Sequence, residues 1–237
     1  MKERILLFCI VFGLGVFIYI FQSYFNTVWG LVILCFLMSL YVGFMNLSYK
    51  LQKRKLQKYP QVINENYKPF VSVLIPAHDE ECVIANTVQN ILDMDYENFE
   101  VIVIDDRSVD NTASVIKDLE QKYDKVTALI RPKDAFPGKS AVLNDAFKIA
   151  KGEAILVFDA DATVDADFLT TLIPHLEPKD VGAVQARKVI RNKNTNLLTR
   201  CQNNEYTLDT YFQVGRDSVK GAVELRGNGE LIKRQAI

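Results

Sequence analysis

Cysteine and histidine are both scarce in this chain, and their scarcity removes several classes of chemistry at once. Four cysteines, Cys9, Cys35, Cys82 and Cys201, stand far apart with no C-x-x-C pair among them. That excludes a disulfide framework and a cysteine-built zinc site, and the four are expected as unpaired, buried thiols of a reducing compartment. His78 and His175 are the only histidines, too few for a histidine-built metal centre or a Ser-His-Asp arrangement of the usual sort. Neither sign of charge dominates: 28 basic residues face 29 acidic ones, scattered along the chain, so nucleic acid is not expected as a partner. Glycine-rich nucleotide loops are missing too. No G-x-G-x-x-G follows the first expected strand, which argues against a Rossmann oxidoreductase. Pro137-Gly138-Lys139-Ser140 carries the end of a Walker loop, but Lys133 stands where that loop needs its first glycine.

What the chain has in quantity is apolar sequence at its N-terminus. Ile5 to Phe21 is one uninterrupted run and Val28 to Leu47 a second, of about the ~20 residues that cross a bilayer core as a helix. The connector between them is uncharged, Lys2 and Arg4 precede the pair, and Lys50, Lys53, Arg54, Lys55 and Lys58 follow it. By the positive-inside rule both ends face the cytoplasm. No small-x-small cleavage site precedes Tyr24 and a second run follows at once, so the first is expected as a span and not a signal peptide. The expected organisation is a transmembrane hairpin over 1–49, a basic cytoplasmic linker over 50–69 and an α/β domain over 70–237. A multi-pass protein of the cell membrane follows, with the lipid bilayer as a partner.

From Phe70 onward, short β-branched runs alternate with helical patterns, the signature of a mostly parallel sheet covered on both faces. Strands are expected at Val71–Ile75, Phe99–Ile104, Val126–Ile130 and Ala154–Phe158, with a shorter one at Gly182-Ala183-Val184. Helices are expected from Glu80 to Met94, from the Asp110-Asn111-Thr112 cap to Tyr123, and from Ser140 to Ala150. Each strand leads into a polar loop. Such loops gather on one edge of the sheet, where α/β proteins bind ligands.

Those loops carry the chemistry. Asp159-Ala160-Asp161 sets two carboxylates where a buried strand ends, the oxygen ligands that Mg²⁺ or Mn²⁺ need to hold a diphosphate. In Pro76-Ala77-His78-Asp79-Glu80, Pro76 is expected to end the first strand and Glu80 to open the next helix near its positive end. Asp106, in Asp105-Asp106-Arg107-Ser108, can accept a hydrogen bond from a base N–H, while Ser108 and Asp110 can cap the following helix. Lys139 stands at a helix start where ammonium and helix dipole can both face a phosphate. Gln185 and Arg187 alternate onto one side of a short strand; Arg187 can pair with a diphosphate or be an edge-strand charge.

Taken together, Pro76-Ala77-His78-Asp79-Glu80, Val103-Ile104-Asp105-Asp106-Arg107-Ser108, Gly138-Lys139 and Phe158-Asp159-Ala160-Asp161 resemble the family 2 glycosyltransferases in order, spacing and strand context. Gly215-Arg216-Asp217 and Gly227-Asn228-Gly229, with Ile232-Lys233-Arg234-Gln235-Ala236 behind them, fit the processive membrane branch that makes poly-N-acetylglucosamine, hyaluronan or cellulose. The resemblance implies a GT-A fold, a UDP-sugar donor and Mg²⁺ or Mn²⁺. It assigns Ala77 and Glu80 to the nucleoside pocket, Asp106 to the uracil and Lys139 to the diphosphate. Asp159 falls near the ribose and sugar, and Asp161, with Asp159, at the metal. His78 departs from the aromatic commoner in this loop.

The family's acidic motif for the general base and its Q-x-x-R-W motif are both missing before Ile237. Glu224 and Glu230, the nearest carboxylates, sit beside a turn where the family has no base. The expectation is the donor-binding portion of a membrane-anchored inverting glycosyltransferase, moving N-acetylglucosamine from a UDP-sugar to a polysaccharide or glycolipid acceptor. The alternatives are a nucleotide-sugar-binding module completed by a partner subunit, and a polyprenyl-phosphate glycosyltransferase.

Overall fold

An apolar run such as Val71-Ser72-Val73-Leu74-Ile75 can be satisfied only by burial on both faces of a sheet, and the computed structural model of the chain places it there. The structure describes residues 2–24, 27–58, 64 and 66–237. In chain order its elements are α1 (Lys2–Tyr24), α2 (Thr27–Lys58), β1 (Val71–Ala77), α3 (Ile84–Leu92), β2 (Phe99–Asp105), α4 (Thr112–Lys122) and β3 (Val126–Ile130). Then follow α5 (Lys139–Ile149), β4 (Ala154–Val157), α6 (Phe168–Leu176), β5 (Ala183–Gln185), α7 (Leu197–Ser218) and β6 (Glu230–Lys233). They form two compact units, Met1–Pro60 with Asn196–Val223, and Gln61–Thr195 with Glu224–Ile237.

The second unit holds a six-stranded sheet in the order β3-β2-β1-β4-β6-β5. β1 pairs in parallel with β2 from Val71↔Phe99 to Ala77↔Asp105, and with β4 from Val71↔Ala154 to Leu74↔Val157. β6 enters antiparallel between β4 and β5. Alternation along β1 sends Val71, Val73 and Ile75 into a core with α3, α4 and α6, and Leu74 into a second core with α5.

The end of β1 and the start of α3 differ from expectation. Pro76 lies inside β1, opposite Ile104. The Ala77 carbonyl accepts from Asp106 N and the Leu74 carbonyl from Phe158 N, so alternation aims the Pro76 nitrogen toward β4 just past the end of that ladder, where no N–H is needed. The helix expected from Glu80 starts at Ile84; residues 81–83 form a turn closed by Val83 N–H to Glu80 O at 3.1 Å and Ile84 N–H to Glu80 O at 3.0 Å. Its buried face, Ile84, Thr87, Val88 and Ile91, is the expected one.

In the first unit, α2 runs unbroken through residues expected as linker, to Lys58. Among the described residues one helix, Trp29–Lys58, is long and apolar enough to cross a membrane, and Ile10–Phe21 of α1 is a shorter apolar stretch. α7 packs on α2. Its start is fixed by a capping box in which the Asn196 side chain accepts from Thr199 N while the Thr199 hydroxyl pairs with Asn196 N. Tyr211 meets Tyr49 edge-on at 4.5 Å and Phe212 stacks on Tyr41 at 6.0 Å.

The cysteines depart from expectation. Cys35, Cys82 and Cys201 are free, as expected, but exposed and not buried. Cys35 faces outward on an apolar helix, Cys82 sits in the turn before α3, and Cys201 lies on an exposed stretch of α7; the Cys9 side chain lies outside the described residues.

Candidate functional site

β1, β2 and β4 run in parallel, so their C-terminal ends share one edge, and the strand order reverses between β1 and β4, with β2 and β3 on one side and β4 on the other. A crevice at such a reversal is where open α/β sheets bind ligands. Here it is a cleft of about 370 Å³ lined by Pro76, Ala77, His78, Glu80, Asp106, Lys139, Val142, Asp159, Ala160 and Asp161. Ala77, Glu80, Asp106, Lys139, Asp159 and Asp161 were all singled out from sequence, and one cleft gathers them. Arg187, two residues past β5, is exposed and does not line it.

The loops after β1 and β2 are laced together. Asp79 N–H donates to Ser108 Oγ at 3.0 Å and Val109 N–H to Asp79 Oδ1 at 2.8 Å. Glu80 N–H donates to Thr112 Oγ1 at 2.8 Å, and Asp110 accepts from both Thr112 N and Glu81 N. This lacing holds two non-glycine residues in the left-handed region, Asp79 at φ 58° and Arg107 at φ 63°, a conformation that persists only where surroundings over-determine it. His78 Nδ1 lies 2.7 Å from the Asp106 carbonyl.

Asp106 is buried at 8% exposure. Its Oδ1 accepts from Arg131 Nη1 at 2.6 Å and Arg107 Nε at 3.0 Å, while Oδ2 faces Gly138 N–H at 3.4 Å. Burial pushes this carboxyl up, but the hydrogen bonds from Arg107, Gly138 and Arg131, with the charge of Arg107, outweigh it and hold Asp106 below the usual carboxylate range. Arg131 was missed from sequence. Its signal was its place, immediately after β3, where the other strands also present their functional side chains.

Asp159 and Asp161 leave the end of β4 on a turn. Lys139 Nζ donates to Asp159 Oδ1 at 2.5 Å and to the Gly227 carbonyl at 2.9 Å. The Gly227-Asn228-Gly229 turn lies under the D-A-D triplet: Asn228 Oδ1 accepts from Asp159 N at 3.3 Å, and Gly229 N–H donates to Val157 O at 2.8 Å. Gly227 and Gly229 take φ of 67° and 71°, which glycine adopts without a Cβ penalty. Gln185 Nε2 donates to the Asn228 carbonyl at 2.9 Å, so this residue serves the turn. Glu230 accepts from Gly227 N and Glu224 pairs with Arg226 at 3.0 Å; both carboxylates are engaged away from the cleft lining.

Asp161 is exposed at the cleft, and its carboxylate has no hydrogen bond or ion pair among the described residues. Those residues include no group of three or more His, Cys, Asp or Glu placed to hold a metal. Two carboxylates alone suit Mg²⁺-type binding, which takes one or two from the protein and completes its shell with water and substrate phosphate.

A family model described as Glycosyl transferase family 2 matches residues 72–229. The chain belongs to glycosyl transferase family 2. This member of the family is 44% identical over 171 residues to a beta-monoglucosyldiacylglycerol synthase of Nostoc sp., covering 71% of this chain and 36% of that protein. It is 31% identical over 171 residues to the poly-beta-1,6-N-acetyl-D-glucosamine synthase of Staphylococcus epidermidis, covering 70% and 40%. Among solved structures it is similar to a mannosyltransferase from Pyrobaculum calidifontis in complex with GDP-Man and Mn²⁺, with a TM-score of 0.65 and 25% identity over 86% of this chain and 56% of that one. The family 2 chain therefore has a GT-A α/β fold. It spans about a third of the length of the first curated relatives it matches.

Proposed function

We propose that the cleft binds a UDP-sugar with Mg²⁺ or Mn²⁺, and that the chain supplies the donor side of a membrane-anchored, inverting glycosyltransferase whose catalytic domain faces the cytoplasm. The observation that carries this reading is the convergence of Asp106, Lys139, Asp159 and Asp161 on one cleft at the β1/β4 reversal. Asp106 accepts an N–H of the base. Lys139 leaves Asp159 for the diphosphate, exchanging one anion for another at the start of α5. Asp159 and Asp161 would hold the cation, which when bound would neutralise charge on the departing diphosphate. An acceptor hydroxyl oxygen attacks the sugar C1 in a single displacement: the C1–O bond to the diphosphate breaks, UDP leaves with the electron pair, and the hydroxyl proton passes to a general base other than the carboxylates named here. The N-acetylglucosamine expected from sequence yields here to a hexose, and the polysaccharide to a membrane glycerolipid, because identity is higher to the monoglucosyldiacylglycerol synthases than to the poly-N-acetylglucosamine synthase.

The test is calorimetric binding of UDP, UDP-glucose and UDP-N-acetylglucosamine to the detergent-solubilised chain with and without Mn²⁺, followed by an assay of UDP release. Metal-dependent binding is the expected result, and absence of binding by folded protein overturns the reading. A second reading, a donor-binding module that does not turn over alone, is favoured by one observation: four carboxylates line the cleft, Glu80, Asp106, Asp159 and Asp161, and the donor-side roles proposed for them leave none to take the acceptor proton. Binding without UDP release supports it.

A further inference from the structure

α7 runs antiparallel to α2, and side-chain contacts fix the register between them. Tyr211 meets Tyr49 edge-on at 4.5 Å, a Cβ on Gly215 would stand 2.8 Å from Met45 O, Phe212 stacks on Tyr41 at 6.0 Å, and Arg216 Nε donates to Tyr41 Oη at 3.2 Å. Met45 and Ser48, one turn apart on α2, are buried. Glycine at such a contact lets two backbones approach, as it does between helices inside membranes. Tyr41 and Met45 both belong to the apolar run Val28–Leu47. Tyr41 stands six residues before Leu47, about 9 Å along the helix.

We propose that the last two turns of α7, Tyr211–Ser218, enter the cytoplasmic leaflet beside α2, making α7 a half-inserted helix whose partner is the acyl-chain region of the bilayer. The inference rests on the anchored reading of α2. Length favours it. Val28–Leu47 is 20 residues, about 30 Å of helix, which matches the hydrocarbon core. Were α7 wholly outside the hydrocarbon, the span would have to end before Tyr41. From Thr27, where α2 begins, to Leu40 is 14 residues, about 21 Å of helix. That falls short of the core by about 9 Å, and tilting the helix shortens its reach further.

The end of α7 suits a site with little water. A helix leaves its last four carbonyls without intrahelical partners, and in lipid each must be met within the protein. Here the Gly215 carbonyl accepts from Ser218 Oγ at 2.7 Å, the Arg216 carbonyl from Val219 N at 3.2 Å and Gly221 N at 2.8 Å, and the Asp217 carbonyl from Lys220 N at 2.9 Å. Lys220 takes φ 57° in this closure, a left-handed conformation uncommon outside glycine. Arg216, the basic residue of the last turn, complements the negative end of the helix and reaches a tyrosine hydroxyl, a pairing that fits the edge of the hydrocarbon. Leu208, Tyr211 and Val219 are exposed, apolar surface that lipid would take out of water. Asp217 is exposed as well, and its charge limits the depth: the end of α7 stays in the outer part of the leaflet and does not approach the midplane.

The experiment uses the full chain with its native cysteines replaced, a fluorophore on one introduced cysteine at a time, and phosphatidylcholine vesicles with and without spin-labelled acyl chains as quenchers. Leu37→Cys marks α2 within the span, Leu198→Cys the start of α7 and Val219→Cys its end; all three native side chains are exposed. Val219→Cys is expected to be quenched at least half as strongly as Leu37→Cys, and Leu198→Cys not measurably. Quenching at Val219→Cys no greater than at Leu198→Cys overturns the inference, whether α7 stands clear of the bilayer or lies flat along it, and leaves the anchored reading in place. No quenching at Leu37→Cys overturns the anchored reading, and this inference with it. Should Val219→Cys not fold, Ser218→Cys, an isosteric change in the last turn of α7, decides by the same comparison.

Discussion

Lys139 shows how one side chain can serve two states. Its ammonium bridges Asp159 and the Gly227 carbonyl, so the apo cleft keeps its anions compensated until a diphosphate competes for the same cation. Lys139→Ala should therefore weaken UDP binding by about 10- to 100-fold and leave uridine binding within about twofold of its starting value. Equal losses for both ligands would mean that Lys139 acts by holding the Gly227 turn. Asp161 lies exposed and without a partner among the described residues, so Asp161→Asn should abolish Mn²⁺-dependent affinity while shifting stability by less than about 0.5 kcal/mol, as surface changes do. Unchanged metal dependence in that variant would remove Asp161 from the metal. The Arg131 network also has a pH signature. Asp106 is lowered against its burial by Arg107, Gly138 and Arg131, and Asp145 is lowered by Lys148 and Arg131. For carboxyls depressed on folding, the stabilisation is present above the unfolded value near ~3.9 and is lost as pH falls through the folded values. Urea midpoints should hold steady from pH 7 to 5 and drop below about pH 4, with a shallower drop in Arg131→Gln; an identical drop would take these two carboxyls out of the acid transition.

At the scale of elements, two glycines mark where backbone must approach backbone. Gly152 precedes β4, and a Cβ there would stand 2.4 Å from Ser72 N and 2.6 Å from Ala154 O, while its own N–H donates to Ser72 Oγ at 2.7 Å. Gly152→Ala should cost about 1–3 kcal/mol, the range for overpacking a well-filled site, read from chemical denaturation; full stability would show that β4 can shift along β1. Gly215 does the same for α7 on α2, where a Cβ would meet Met45 O at 2.8 Å. The edges of β1 and α3 belong to this scale as well. Pro76 was expected to end β1 and instead continues it, because whether a missing N–H matters depends on where the neighbouring strand stops.

For the whole molecule, length is the informative quantity. α2 has 32 residues, about 48 Å at ~1.5 Å per residue, against a hydrocarbon core of about 30 Å. An apolar span and a basic extension therefore fit in one helix. Alkaline carbonate extraction should leave the protein in the membrane pellet, and release into the supernatant would sink the anchored reading. For orientation, Lys53→Cys should resist an impermeant thiol reagent in intact cells and react after lysis. Because Cys35, Cys82 and Cys201 are exposed, that test needs a chain in which the native cysteines have been replaced.

Local chemistry was legible from the sequence by itself. Alternating and continuous apolar runs marked β1 to β4 to within two residues at either end, and the strand-end position of Asp159-Ala160-Asp161 marked one wall of the cleft, because side-chain periodicity and turn residues act over a few neighbours. What only the tertiary structure decided are the pairings between residues far apart in the chain. These are Arg131 on Asp106, Lys139 on the Gly227 carbonyl, β6 entering antiparallel between β4 and β5, and α7 joining α2. Arg131 carries no periodic signal, and Gly227-Asn228-Gly229 declares a turn without saying what rests on it. Such partners are chosen by the closing of long loops and by the demand that buried charge and buried backbone find a match, and neither condition can be read from a stretch of chain considered alone.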